Sequence, residues 1–106
     1  MQTTQYIPTT DSVGTSNLMC LLGERDQQVL RLIMPRDLER VFGPGIADIY
    51  EPERGYTEDE WYFQSSDGCV WGIGWRWGNT RLRGRSHNAS AAAASEFVQF
   101  INRELM

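Results

Sequence analysis

Residues 60–86 have the clearest structural pattern of this chain, with the sequence EWYFQSSDGCVWGIGWRWGNTRLRGRS. It contains three segments rich in aromatic and β-branched residues, which are separated by Asp67-Gly68 and Gly78-Asn79. Both dipeptides are typical of the two-residue turn that joins neighbouring strands of a hairpin. The stretch therefore predicts an antiparallel meander of three strands, over residues 60–65, 69–77 and 80–86.

Two-residue turns at these positions also predict the register of the meander. They place Tyr62 opposite Ile73 and Arg76 opposite Arg81, and the alternation of side chains then assigns each residue to a face. The apolar face carries Tyr62, Trp71, Ile73, Trp75, Trp77 and Leu82. The second face carries Trp61, Phe63, Val70, Gly72, Gly74, Arg76, Arg81, Arg83 and Arg85. The two glycines of that face are expected to make room for the rings of Trp61 and Phe63.

Two helices are predicted around this meander. Residues 89–105 begin with an alanine-rich segment, and Asn88 or Ser90 can cap its N-terminal end. Apolar residues three and four positions apart give this helix one stripe, which matches the apolar face of the meander: Ala94, Phe97, Ile101 and Leu105. Residues 36–42 have helical spacing after Pro35, and Gly43-Pro44-Gly45 ends this short helix.

The N-terminal third of the chain has less distinctive patterns. Residues 1–15 are expected to be a flexible arm. Residues 16–22 and 28–34 are short apolar runs, and alternation in the second run favours a β-hairpin, with a helix ending near Leu22 as the alternative. The predicted fold is α+β, an antiparallel meander of about three to five strands packed by a C-terminal helix and a short helix near residues 36–42. Residues 16–106 are expected to form this single domain.

Composition excludes several classes of function. The chain has 106 residues, with 14 acids, 10 bases and a net charge of −4. This balance excludes a wholly basic nucleic-acid module and a polybasic membrane binder. No apolar run approaches the roughly 18–20 residues that cross a bilayer, so no membrane partner is expected. The first ten residues lack the features of a leader peptide, so Cys20 and Cys69 are expected to be reduced thiols in the cytoplasm.

Opposite charges are separated along the chain. Residues 48–60 hold Arg54 and six acids: Asp48, Glu51, Glu53, Glu58, Asp59 and Glu60. Residues 44–58, with two prolines and two glycines, are expected to form a long surface loop with a brief extended piece at Ile46–Tyr50. Every basic residue is arginine, and four arginines share the second face of the meander: Arg76, Arg81, Arg83 and Arg85. Arginine beside exposed aromatics, here Trp61 and Phe63, is typical of protein interfaces and of platforms for single-stranded nucleic acid. Alternatively, the acidic loop folds over these arginines and neutralises them.

No catalytic, metal or cofactor site is predicted. The glycines between Gly72 and Gly78 lack the spacing of a dinucleotide-binding loop. His87 is the single histidine, and together with Cys20 and Cys69 it lacks the ligand spacing of a zinc site. The acids of residues 48–60 lack the ligand pattern of a calcium loop. The protein is therefore expected not to be an enzyme, and a catalytic site shared between subunits around His87 ranks last.

The order of segments over residues 41–105 resembles that of small proteins encoded by phages, prophages and plasmids. The resemblance lies in Glu60-Trp61-Tyr62-Phe63, the Asp67-Gly68 turn, Val70-Trp71 and the alanine-rich closing helix. It implies a compact accessory protein, and some such proteins inhibit bacterial defence systems by binding a protein partner. No functional residues carry over from the resemblance.

These patterns lead to two functional expectations. The first is a non-enzymatic binding protein that engages another protein through the arginine-bearing face, the acidic loop or both. The alternative is nucleic-acid or nucleotide binding on the arginine-bearing face. An uncovered aromatic face would equally pair two copies of the chain, so a homodimer is a further expectation.

Overall fold

The described part of the chain folds into six strands and three α-helices. The computed structural model of the protein describes residues 4–10, 16–51, 56–76, 79–85 and 90–106. In chain order the elements are β1 (Tyr6–Thr9), β2 (Ser16–Asn17), a 3₁₀ turn (Met19–Leu21), α1 (Glu24–Leu32), α2 (Pro35–Phe42), β3 (Ile46–Glu51), β4 (Tyr56–Ser65), β5 (Val70–Arg76), β6 (Asn79–Arg85) and α3 (Ala91–Leu105).

The strands form one antiparallel sheet in the order β1-β4-β5-β6-β2, and β3 also pairs with β4. The predicted α+β class and the central meander of β4, β5 and β6 are confirmed. The sheet has more strands than expected because the N-terminal and acidic segments contribute β1, β2 and β3. Tyr6–Thr9 lies in the segment expected to be a flexible arm, yet it pairs with β4. The remaining arm residues 1–3 and 11–15 lie outside the described part.

The register of β4 against β5 differs from the predicted register by one residue. The Ser65 N–H donates to the Cys69 carbonyl at 2.8 Å, so three residues, 66–68, form the turn. Gly68 occupies the last of these positions with φ +92°, a conformation that glycine adopts without strain. The extra turn residue sets Trp61 opposite Ile73. A shift of one residue moves every side chain of a strand to the other face, so the predicted faces of β4 are exchanged.

The register of β5 against β6 differs from the prediction by two residues. Arg76 lies opposite Asn79, and Gly74 lies opposite Arg81. An even shift keeps each residue on its predicted face, because side chains alternate with a period of two. Residues 77 and 78, which include Trp77 and part of the predicted Gly78-Asn79 turn, lie outside the described residues.

The hydrophobic core lies between one face of the sheet and the helices. The sheet contributes Trp61, Phe63, Trp71, Ile73 and Leu82, and the helices contribute Leu30, Leu38, Ala94, Phe97, Val98 and Ile101. Phe97 stacks on Trp71 with ring centroids 5.6 Å apart, and Phe63 meets Phe42 edge to face at 5.0 Å. Large aromatic side chains bury much apolar area in a small domain, and such ring contacts add to that burial.

Both predicted helices are present, with local signals at their ends. Pro35 opens α2, and the Asp37 carboxylate accepts a hydrogen bond from the Met34 N–H at 3.1 Å. Gly43 follows α2 with φ +81°. The Ser90 hydroxyl caps α3 by accepting from the Ala93 N–H at 3.1 Å.

The predicted hairpin over residues 16–34 is wrong. Residues 28–32 belong to α1, and the first apolar run forms β2 and the 3₁₀ turn. The alternative helix ending near Leu22 also differs, because the 3₁₀ turn covers only Met19–Leu21. Acidic side chains in the first turn of α1 favour a helix start. Leu30 and Ile33, three positions apart, are both buried, and α1 packs on α3 and β6. Tertiary packing thus selected the helix in a run too short for its periodicity to decide.

Candidate binding surfaces

One face of the sheet is turned away from the helices, and we call it the open face. On β4 it carries Glu60, Tyr62 and Gln64, because Trp61 and Phe63 point into the core. On β5 and β6 it carries the residues opposite or beside these: Val70, Gly72, Gly74, Arg81 and Arg83. The open face corresponds to the second face of the predicted meander, which was expected to carry the arginines.

Trp61 and Phe63 do not lie on the open face, which corrects their predicted role in binding. Trp61 is 5% exposed and Phe63 is 2% exposed, and both belong to the core. The Trp61 indole N–H donates to the Gly43 carbonyl at 2.8 Å, which ties β4 to the end of α2. The physical reason is the three-residue turn, which shifts β4 by one position and exchanges its faces.

The two glycines of β5 make room for Tyr62 and Glu60 rather than for Trp61 and Phe63. A Cβ atom on Gly72 would lie 2.8 Å from the Tyr62 ring, and one on Gly74 would lie 2.6 Å from the Glu60 Cγ. Real Cβ atoms do not approach carbon atoms this closely. Glycine at both positions therefore lets two side chains of β4 lie flat across β5.

Glu60 lies at the centre of a buried polar network on the open face. Its side chain is 2% exposed, and one carboxylate oxygen accepts from Arg83 at 2.8 Å. The Tyr62 hydroxyl donates to the other carboxylate oxygen. Buried charges need such partners because leaving water is costly for them. Glu60, an acid of the 48–60 segment, thus neutralises Arg83. The alternative interpretation of the sequence expected the acidic segment to neutralise all four arginines.

The other three arginines of the predicted patch are known mainly by their strand positions. Arg81 lies on the open face opposite Gly74 and is half-buried. Arg76 and Arg85 occupy strand positions opposite Asn79 and Val70, and the structure does not describe their side chains. The register therefore brings Arg81 and Arg83 to one face, and the charge of Arg83 is already balanced there by Glu60.

The acidic segment forms a hairpin where a long loop was predicted, and the extended piece expected within that loop at Ile46–Tyr50 corresponds to β3 (Ile46–Glu51). Strand β3 pairs with the first half of β4, which sets Ile46 opposite Glu60 and Asp48 opposite Glu58. The described pairing between β4 and β5 begins only at Glu60. Residues 46–51 and 56–59 therefore form a two-stranded extension of the sheet, which we call the acidic ribbon. A loop was expected because Pro52 and several acids interrupt the apolar pattern.

The predicted acids are distributed over both strands of the acidic ribbon. Asp48 and Glu51 stand on β3, and Glu58 and Asp59 stand on β4. Asp59 is exposed, and Glu53 lies outside the described residues. Like charges at directly opposed positions weaken an antiparallel pair, by roughly 0.2–1 kcal/mol. A ribbon of two strands is itself only marginally stable in water. The register sets the strand positions of Asp48 and Glu58 opposite each other.

A cleft of about 470 Å³ lies where β1 ends and β3 begins along the same edge of β4. The residues around it include Pro8, Thr9, Phe42, Pro44, Ile46 and Trp61. Glu60 also lines the cleft, but its carboxylate is already engaged by Arg83 and Tyr62. The cleft is therefore mostly apolar, and its buried acid serves the polar network of the open face.

Metal-ligating residues do not converge anywhere in the described ranges. No group of three histidine, cysteine, aspartate or glutamate side chains could hold a metal ion there. Cys20 is exposed and Cys69 is buried, and no disulfide joins them; His87 lies outside the described residues. The helices of the described part also lack the combined length and hydropathy needed to cross a membrane.

Comparison with known proteins does not place the chain in a family. No protein-family model matches it, and neither the curated proteins nor the solved structures contain a significant match.

Proposed function

We propose that this protein is a non-enzymatic binding protein that engages another protein through its acidic ribbon. The observation that carries the proposal is that β4 continues past its described pairing with β5, and that among the described strands only β3 pairs with this part of β4. The ribbon holds four of the predicted acids, Asp48, Glu51, Glu58 and Asp59, at described positions.

The acidic ribbon is expected to be more stable in contact with a partner than in the isolated protein. Two strands without a further neighbour gain little from the sheet, and Asp48 opposite Glu58 adds repulsion. A basic surface placed against the ribbon removes that repulsion and forms charge-assisted contacts. Complementary charge also speeds association and disfavours wrong partners.

On the open face only Gln64 is exposed, and Arg81 and Arg83 are half-buried, so this face contributes little contact area of its own among the described residues. Arg83 is bound to Glu60, and Tyr62 is buried at 4% exposure. Arg81 lies on the same face, opposite Gly74. The acidic ribbon therefore remains the main proposed contact surface.

Nucleic-acid or nucleotide binding is the second candidate, and the shared face of Arg81 and Arg83 favours it. Base stacking needs exposed aromatic rings, and the two rings proposed for that role, Trp61 and Phe63, are in the core. The net charge of −4 also opposes binding to a polyanion. Protein binding is therefore the function that the surfaces support better.

The resemblance to small phage, prophage and plasmid proteins extends this proposal. It suggests an accessory protein of the cytoplasm that inhibits a host protein, such as a component of a defence system, by occupying a basic surface. A homodimer in which two copies act together is compatible with the same role.

Affinity capture with two matched variants tests the proposal. The ribbon variant is Asp48→Asn/Glu58→Gln/Asp59→Asn, and the control variant is Glu24→Gln/Glu39→Gln/Glu104→Gln, which changes the net charge equally at exposed helix positions. Proteins captured from a lysate of the source cells are quantified by mass spectrometry. We expect a stoichiometric partner whose capture falls at least tenfold, which is about 1.4 kcal/mol, with the ribbon variant only.

Two results would count against protein binding by the acidic ribbon. Equal capture by both variants would mean that the ribbon is not the contact surface. Co-purified nucleic acid, together with a salt-dependent mobility shift that Arg81→Gln abolishes, would favour the second candidate instead. Circular dichroism of each variant confirms that the fold is retained before the captures are compared.

A further inference from the structure

The hydrogen bonds at the β4–β5 turn show which way each backbone group of β4 points. The Ser65 N–H donates to Cys69 on the β5 side, and the Ser66 N–H donates to Gln5 on the β1 side, both at 2.8 Å. Successive residues of a strand direct their N–H and C=O groups to opposite sides. Glu60, Tyr62 and Gln64 therefore face β1 and β3.

The edges of β1 and β6 are protected in the described part of the sheet, which leaves the two sides of the acidic ribbon. On β1 the alternation directs Ile7 and Thr9 toward β4, so Pro8, which has no N–H group, occupies an outward position. On β6 the Leu82 carbonyl accepts from the Leu18 N–H at 3.0 Å, and the Leu82 N–H contacts the Met19 sulfur at 3.2 Å. Strand β2 covers the next part of that edge. Proteins commonly protect edges in such ways because open edges recruit other strands.

The outer edge of β3 has no such protection among the residues that the structure describes. Ile46 and Asp48 lie opposite Glu60 and Glu58 and share hydrogen bonds with β4. The N–H and C=O groups of Ala47 and Ile49 therefore point outward, and no described strand pairs with them. A bulge between Ile49 and Glu51 ends the regular edge. This leaves Ile46–Ile49 as a short edge with two pairs of backbone groups available.

The charge of the acidic ribbon determines which strand fits this edge. In the antiparallel register that pairs Ala47 with Ile49 of a second copy and so uses all of these backbone groups, Asp48 would lie beside Asp48 of the other chain, and such a like-charge pair is unfavourable. An extended segment with arginine or lysine at alternate positions would instead place positive charge beside the ribbon. Backbone bonds then supply affinity, and charge supplies selectivity.

We propose that the β3 edge accepts an extended basic segment of a partner protein as an additional antiparallel strand, bonded to Ala47 and Ile49. This inference rests on the proposed function and specifies how the partner is bound. The added strand makes the ribbon three-stranded, which raises its stability. It also brings cationic side chains next to the register position where Asp48 opposes Glu58.

The test uses a blocked heptapeptide, Thr-Arg-Val-Arg-Val-Arg-Thr, and a control peptide with glutamate in place of arginine. Amide hydrogen exchange of the full chain is followed by NMR. With the arginine peptide we expect exchange at Ala47 and Ile49 to slow at least tenfold, while the glutamate peptide has no effect. Ala47→Pro removes the outward N–H and should abolish binding, whereas Ala47→Thr keeps it and should bind as the original chain does. The Trp61 indole resonance, which reports the bond to Gly43, checks the fold of both variants.

Several results would overturn the inference. These are unchanged exchange at Ala47 and Ile49, equal protection by both peptides, or full binding by Ala47→Pro. A doubled mass in sedimentation that Ala47→Pro returns to monomer would show that a second copy occupies the edge. If the ribbon variant loses the captured partner but Ala47→Pro retains it, the proposed function stands and edge pairing is wrong. If both variants retain the partner, the proposed function fails as well.

Discussion

Arg83 on β6 donates to Glu60 on β4 at 2.8 Å, although β5 lies between the two strands. The contact is possible because β5 presents only hydrogen atoms there, at Gly72 and Gly74, and the Glu60 side chain crosses above Gly74. The acidic segment and the arginine strand thus meet in a buried network at one point. The rest of the acidic segment continues beyond it as the acidic ribbon.

Gly74→Ala is expected to destabilise the protein by about 1–3 kcal/mol, because the new methyl group overpacks the site. The added Cβ would lie 2.6 Å from the Glu60 Cγ and 2.9 Å from the Asp59 carbonyl oxygen. Urea unfolding measures the effect. Gly23→Ala is the control without overpacking, since a Cβ there has no atom within 4 Å; Gly23 is the N-cap of α1, so its replacement should cost no more than about 1 kcal/mol. Equal stability of the two variants would contradict the close packing over β5.

Arg83→Gln is expected to cost about 2–4 kcal/mol, because it leaves the buried Glu60 carboxylate without its cationic partner. Glu60→Gln should cost less, since a neutral amide can still accept from the Tyr62 hydroxyl. A double-mutant cycle from urea unfolding should give a coupling energy of about 0.5–3 kcal/mol. Strictly additive effects would show that the two side chains do not interact in solution.

Phe63→Ala is expected to cost about 3–5 kcal/mol, as truncation of a fully buried aromatic side chain usually does. Phe63 is 2% exposed and contacts the rings of Phe42 and Phe97. Gln64→Ala, one position along on the exposed side of β4, should change stability by less than about 0.5 kcal/mol. Thermal unfolding measures both variants. If Gln64→Ala destabilised the protein more than Phe63→Ala does, the register predicted from two-residue turns would be correct instead.

Tyr6→Phe is expected to make the protein less sensitive to alkaline pH. Burial, reinforced by the nearby Glu96 carboxylate, raises the pKa of Tyr6 well above its ordinary value of 10.0. Above that pH the unfolded chain releases the phenolic proton while the folded chain keeps it, so the free energy of unfolding falls as pH rises. Urea midpoints at about pH 8 and about pH 11 should differ less for the variant. An equal loss in both proteins would exclude Tyr6 as the cause.

Asp67→Asn is expected to reduce the loss of stability in acid. The Ser65 hydroxyl donates to the Asp67 carboxylate, and this bond holds the pKa of Asp67 below its ordinary value of 3.8. A lowered pKa contributes stability that is present above the unfolded value and disappears as pH falls through the folded value. The difference in urea midpoint between the two proteins should therefore shrink below about pH 4. Asp26→Asn, on α1, serves as the control, and a constant difference at all pH values would contradict the assignment.

Local sequence determined most of the secondary structure. Pro35 and the Ser90 cap mark the starts of two helices, and the aromatic segments of residues 60–86 mark three strands. These signals act through neighbouring residues, so they can be recognised without knowledge of the fold. The α+β class follows from them, as does the placement of Arg81 and Arg83 on one face.

Contacts between distant segments selected the side chains that the arginines meet. The segment Ser65–Cys69 is compatible with a turn of two or three residues, and the choice of three moved Trp61 and Phe63 into the core and Glu60 beside Arg83. A strand has a period of two, so one residue in a turn exchanges its faces. The same limit applies to α1 and the acidic ribbon. Their segments are too short or too polar for local pattern to decide, and contacts with distant strands and helices selected their structure.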